Sequence, residues 1–156
     1  KVFQVYFFCN KKLVKKYPKI FVDRHENIKN TAMCWGFECS DAWYFLIDNL
    51  CEHIQSYIDN NKHLNITQVV AIQVKEKYGT LRWYYHGGNE YIDGMVSHTK
   101  YLTGKICADC GSMADIGYTL GWITYLCRNC FTNTARKGST WVPIENNKDE
   151  AEKITI

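Results

Sequence analysis

The chain has 156 residues, 46% of them apolar and 22% charged, with 8 cysteines, 5 Trp, 11 Tyr, 7 Phe and a formal net charge of +3. That much apolar material excludes a disordered chain and suffices for one ordinary core plus a small metal-stapled module. No apolar run approaches the ~18–20 residues needed to cross a bilayer, and the small net charge argues against a general polyanion binder.

Val2 to Phe8 is apolar and aromatic and reads as a strand, ended by Asn10-Lys11-Lys12. The run is too short and too aromatic for a signal peptide, and a chain beginning at Lys1 without Met is expected to have lost residues at its start. Leu13 to Arg24 is basic and interrupted by Pro18, which biases Tyr17 away from helix. Up to Arg24 the charge is seven cations against Asp23 alone. Lys11, Lys12, Lys15 and Lys16 are therefore candidate phosphate or nucleic-acid contacts, although lysine runs are commonly a solvated face.

Ser40 is placed to cap a helix from Asp41 to about Asp59, whose Trp43, Ile47, Leu50, Ile54 and Tyr57/Ile58 recur three or four apart. Phe45, Leu46 and Cys51 broaden that stripe. Gln68–Lys77 and Thr80–His86 flank Tyr78-Gly79 and read as a β-hairpin, with Leu81, Trp83 and Tyr85 on one face and Arg82, Tyr84 and His86 on the other. Gly87-Gly88 ends it. A second helix is expected over Glu90–Leu102, with Ile92, Met95, Val96, Thr99 and Leu102 on one side and Gly104 closing it. Residues from Glu145 on are polar and charged and read as a frayed tail.

Cys107-x2-Cys110 and Cys127-x2-Cys130 are two knuckles at zinc-ribbon spacing. Each pair brings two sulfurs onto a tight turn, eased after the first by Gly111, and together they complete a tetrahedron. Trp122 to Leu126 reads as a strand returning to the second knuckle. Four thiolates leave no open coordination position, so the expected zinc is structural, and the metal centre takes the formal charge from +3 to +1. Cys34, Cys39 and Cys51, with Cys9 or His53, are a possible second ligand set, but their spacing matches no common knuckle pair. Scattered cysteines in a chain with its own core fit a reducing cytosol better than a disulfide scaffold.

Lys16-Tyr17-Pro18-Lys19-Ile20-Phe21, then Met33 to Trp43 (MCWGFECSDAW), then Val74 to Arg82 (VKEKYGTLR), followed by CxxCG, resemble together a family of uncharacterised small proteins of tailed bacteriophages and prophages. The resemblance covers most of residues 13–130. In that family a glycine is usual at the position of Ala42 and frequent at that of Ser40, so this chain departs from its pattern there. It carries no activity to transfer. It implies a setting, namely a cytoplasmic accessory protein made during infection, of the kind that modulates the host or counteracts its immunity.

Lys75 and Lys77 share a strand face, and Arg82 lies just past the turn, so the three can converge on an anion while Tyr84 offers a ring and His86 a further polar group. The competing reading is a solvated edge with cross-strand Lys–Glu pairs. Glu38, Asp41 and Glu76 are the only acids near these segments that suggest catalysis, and no matched nucleophile, HExxH, GxSxG or phosphate-cradling glycine loop accompanies them. Trp35, Trp43, Trp83 and Trp122 are expected in the core, and Trp141 against the ribbon.

The expectation is an α+β chain: a small antiparallel sheet with two helices over residues 1–105, a four-cysteine zinc ribbon over 106–143 and a flexible tail over 144–156. Its expected function is non-enzymatic binding of an anionic, nucleotide-like ligand, with nucleic-acid binding or inhibition of a host protein as alternatives. No membrane partner is expected, and a homo-oligomer is compatible with the sequence.

Overall fold

The structure, a computed structural model, describes residues 6–134 and 138–144. The first element corrects an expectation. Tyr6–Lys16 is a helix, α1, so the Tyr6-Phe7-Phe8 part of the expected strand is helical and Asn10-Lys11-Lys12 lies within a helix rather than ending a strand. Residues 2–5 of that strand lie outside the described residues. A short aromatic run does not distinguish the two periods. The deciding contacts come later, where Leu13, Tyr17, Ile20 and Phe21 are all buried in one core. Lys15 and Lys16 in the last turn suit the negative end of the helix, and Pro18 follows.

Ser40 caps the next turn as expected, accepting from the Ala42 N–H at 3.0 Å. The segment Asp41–Trp43 is a 3-10 turn, and the long helix α2 is Tyr44–Asn60. Trp43, Ile47, Leu50, Cys51 and Ile54 are buried, whereas Phe45 is 52% exposed and does not widen the stripe.

The hairpin forms with strands β2 (Thr67–Lys77) and β3 (Thr80–Gly88). Tyr78 and Gly79 have φ of 55° and 77°, the paired positive values that a tight two-residue hairpin turn needs. A two-residue strand β1 (Phe37–Glu38) adds to β2 in parallel, so the sheet, ordered β1-β2-β3, is mixed rather than antiparallel throughout. Two residues carry no readable alternation, which is why β1 is invisible in the sequence. A register shift between Ala71 and Gln73 leaves Ile72 as an extra residue. Val69 and Ala71 face the core before it and Val74 after it.

Helix α3 (Glu90–Thr103) starts where Asn89 accepts from the Ile92 N–H at 3.2 Å, with Glu90 and Asp93 in its first turn. It packs against β3 and α2. Inside lie Trp43, Phe21, Ile20, Met33, Ile47, Ile54, Val74, Leu81 and Ile92, all under 2% exposed or nearly so.

A second sheet, ordered β5-β4-β6, follows: β4 is Ile116–Thr119, β5 Tyr125–Cys127 and β6 Trp141–Pro143, with helix α4 (Arg128–Thr134) after β5. The strand expected over Trp122–Leu126 is therefore shorter and later, and Trp122 sits beyond it, 80% exposed. Trp35, at 65%, is the other tryptophan that leaves the core; Trp43 and Trp83 occupy it. The described residues also hold two helices, α1 and α4, beyond the two expected. No described helix is long and apolar enough to cross a membrane. Residues 145–156 of the expected tail lie outside the described residues.

The second sheet has its own small core of Cys107, Ile116, Leu126 and Cys127, joined by Tyr125, Phe131 and Ile144. It is seated on the first. Ser40 donates its hydroxyl to the Ala108 carbonyl. A methyl group on Gly79 would lie 2.8 Å from the Tyr125 ring, so the hairpin turn and β5 approach closely.

Candidate functional site

The Cys107-x2-Cys110 turn is built by backbone hydrogen bonds. The Gly111 N–H donates to the Cys107 carbonyl at 2.9 Å and the Cys107 N–H to the Ser112 carbonyl at 2.8 Å, with Gly111 at φ 74°. The second pair straddles the end of β5 and the first turn of α4, where the Cys130 N–H donates to the Cys127 sulfur at 3.4 Å. The four sulfurs lie within 4.8 Å of one another, and those of Cys110 and Cys127 are 3.8 Å apart. A tetrahedron with Zn–S bonds of about 2.3 Å has sulfur–sulfur edges of about 3.8 Å. The donor set and spacing fit a zinc-type ion, and four sulfurs fill its coordination.

The crowded sulfurs shift in opposite directions, Cys107 down and Cys110 and Cys130 up. Burial opposes ionisation of Cys107, but backbone donors of Cys110, Cys127 and Asp109 outweigh it and hold the thiol below its ordinary value. Cys130 is pushed well up, first by burial and then by the neighbouring sulfurs. A dication at the centre offsets that repulsion and favours the four-thiolate state.

Trp141 closes one side of the module. Its indole N–H donates to the Leu126 carbonyl at 3.0 Å, the Arg128 guanidinium lies 4.3 Å from its ring, and Arg128 pairs with Asp115 at 2.8 Å. Among the described residues Cys34, Cys39, Cys51 and His53 are not assembled into a second metal set. Among the described residues the Cys107 quartet is the only group of three or more possible ligands. Cys34 donates to the Thr31 carbonyl at 3.3 Å, the Cys51 thiol is fully buried and pushed well up by burial, and the Cys9 side chain lies outside the described residues.

On the first sheet, Lys75 lies directly opposite Arg82 and Gln73 opposite Tyr84, all on the face away from Leu81 and Trp83. The Lys75 ammonium is 5.7 Å from the centre of the Tyr84 ring, which is 46% exposed. Arg82 bends along its own strand, donating to Thr80 Oγ1 at 2.6 Å and the Leu81 carbonyl at 3.1 Å. Lys77 sits at the turn with its ammonium 5.3 Å from the Tyr78 ring centre, and His86 lies at the opposite end of the strand, across from Val70. Lys75, Arg82 and Tyr84 are thus brought together, with Lys77 and His86 at the two ends. Among the described residues no carboxylate oxygen lies within 4 Å of Lys75, Lys77 or Arg82. Glu38, adjacent to Lys75 in register, instead accepts from the Gln73 amide at 3.1 Å. Glu76 accepts from the Gly79 N–H, and Asp41 opens its 3-10 turn, so the three acids stand in three separate structural positions.

The N-terminal lysines divide. Lys16 pairs with Asp48 at 2.9 Å and reaches Glu52 at 3.8 Å, and Lys19 pairs with Asp59 at 3.2 Å, tying this segment to α2. Lys11, Lys12 and Lys15 are exposed on α1.

One feature escaped sequence reasoning. A cleft of about 690 Å³ opens between α3 and the second sheet, lined by Thr80, Ser97, Lys100, Lys105, Tyr118 and Tyr125 among others. Those residues come from separate stretches of chain, and no motif links them. Comparison with protein-family models, with curated proteins and with solved structures finds no match.

Proposed function

We propose that this is a non-enzymatic binding protein whose four-cysteine module carries one structural zinc ion and whose outer sheet face takes an anionic, nucleotide-like ligand. The observation that carries the reading is Lys75 opposite Arg82, two cations on neighbouring strands with an exposed Tyr84 ring beside them and, among the described residues, no carboxylate oxygen within 4 Å of either, the neighbouring Glu38 being held by Gln73. Like charges in facing positions cost stability in a sheet. A bound phosphate would turn that repulsion into a pair of charge-assisted contacts, and Arg82 can present its planar fork by giving up two local hydrogen bonds. Tyr84 would stack against a base.

In the setting that the phage-family resemblance implies, such a protein would sequester a host signalling nucleotide. The test is calorimetric titration and thermal shift against a panel of mononucleotides and cyclic nucleotides, repeated with Lys75→Ala/Arg82→Ala. Binding that the double variant loses supports the reading. A folded protein that shifts with no member of the panel sinks it.

A further inference from the structure

The cleft between α3 and the second sheet gathers cations, hydroxyls and aromatic rings. Its cations are Lys100, in the last turn of α3, and Lys105, just beyond it. Thr80 and Ser97 add aliphatic hydroxyls, and Tyr101, Tyr118 and Tyr125 add phenols and ring faces. Among the described residues no carboxylate lines it, and Val142, Pro143 and Ile144 give it an apolar wall. Among the described residues Lys100 pairs with no acid, and Lys105 meets only the Tyr101 ring, 5.3 Å from its centre. The Tyr118 and Tyr125 rings stand tilted 6.2 Å apart on adjacent strands, held by the β4–β5 register.

We infer that this cleft is a second binding site, for a phosphorylated small molecule carrying an aromatic ring, with a nucleoside monophosphate as the fitting chemical class. Two ammonium groups with no carboxylate oxygen within 4 Å among the described residues match a phosphate, the hydroxyls match a sugar, and the tyrosines with the apolar wall match a base. The volume lies inside the range of about 300–1,000 Å³ that small-molecule sites occupy. One wall belongs to α3 and the other to strands that leave the cysteine cluster, since Tyr125 and Cys127 are the two ends of β5. The metal centre therefore shapes this site without touching its ligand. The cleft borders the outer sheet face, since Arg82 donates to Thr80 Oγ1 at 2.6 Å and Ser97 and Lys100 also line a hollow beside Arg82 and Tyr84, but neither Lys75 nor Arg82 lines the cleft itself.

The experiment is calorimetric titration of the zinc-loaded protein with the four nucleoside 5′-monophosphates, with adenosine and inorganic phosphate as controls. The proposal expects at least one monophosphate to bind, about tenfold or more tighter than either control, because phosphate and base are held by different groups. Lys100→Ala/Lys105→Ala is expected to weaken that binding about tenfold or more while leaving the melting temperature within a few degrees, both side chains being outside the core. Lys75→Ala/Arg82→Ala, which removes only the Arg82 contact to Thr80 at the edge of the cleft, is expected to weaken it by less than about twofold. Amide shifts on titration should concentrate at Tyr118, Tyr125 and Lys100–Lys105. Absence of binding by all four monophosphates, binding untouched by the Lys100/Lys105 variant, or loss confined to the Lys75/Arg82 variant would each overturn the assignment. The last of these would leave the outer-face reading standing, the second bears on the cleft alone, and the first removes the cleft while the cyclic nucleotides still test the outer face.

Discussion

Ile106 and Cys107 are neighbours in the chain and are both almost wholly buried, yet in different cores: Ile106 belongs to the one that holds Trp43 and Leu81, Cys107 to the one that holds Ile116 and Leu126. One peptide bond separates a large core, drawn from α1, α2, α3 and the first sheet, from one that holds four buried residues around a metal site. The smaller cannot be stable by burial alone.

Metal should accordingly be stoichiometric and locally indispensable. Elemental analysis is expected to give about one zinc per chain. Stripping it with a chelator, or Cys127→Ser, should remove amide-exchange protection from Ile116–Thr119 and Tyr125–Cys127 while Val69–Val74 stays protected. Protection of both sheets surviving metal removal would show that the cluster is not what holds the second core.

Trp43 and Trp122 make a matched pair, alike in sequence expectation and opposite in burial, at 0% and 80% exposed. Trp43→Ala should cost about 3–5 kcal/mol in urea denaturation, as truncation of a buried aromatic does. Trp122→Ala should stay within about 0.5 kcal/mol. Equal effects would contradict the burial described.

Glycine substitutions separate backbone strain from helix propensity. At Gly79 a methyl group meets the Tyr125 ring at 2.8 Å and the residue holds φ 77°, so Gly79→Ala should destabilise by more than about 1 kcal/mol. At Gly94, inside α3, an added methyl group would meet no atom within 4 Å. Gly94→Ala should therefore stabilise by roughly 0.5–1 kcal/mol, raising the melting temperature. A lower melting temperature for Gly94→Ala would show that the helix bends or packs there in a way the open surface does not suggest.

The buried Tyr17 hydroxyl donates to Asp48, both to its carboxylate and to its carbonyl, at 2.9 Å. Its pKa is pushed up from 10 to about 12, chiefly by burial, and Lys16 is raised as well, through its contacts with Tyr17 and Asp48. Both shifts have one sign: the unfolded chain gives up these protons first. The stability Tyr17 contributes is complete below pH 10 and is lost as pH climbs from there through its folded value of about 12, and that of Lys16 is lost in the same direction. Urea midpoints measured between pH 9 and pH 12 should fall less steeply in Tyr17→Phe than in the parent. Parallel curves would remove Tyr17 as a cause.

What the sequence determined by itself was local. The two CxxC knuckles, the Tyr78-Gly79 turn, the hairpin arms and the apolar stripes of α2 and α3 each depend on residue types at fixed short spacings, where backbone geometry alone sets the outcome. The tertiary structure decided the rest. Tyr6–Phe8 became helix as part of an α1 whose later residue Leu13, with Tyr17 just beyond it, reaches the core, and Lys16 turned from a candidate phosphate contact to a partner of Asp48, 32 residues away. Trp122 left the core because the strand it was expected to begin starts at Tyr125 instead. The cleft joins Thr80 and Lys100 to Tyr125 and Ile144 across a boundary between two cores. Such features rest on which surfaces meet, and residues dozens of positions apart carry no periodic signal of meeting.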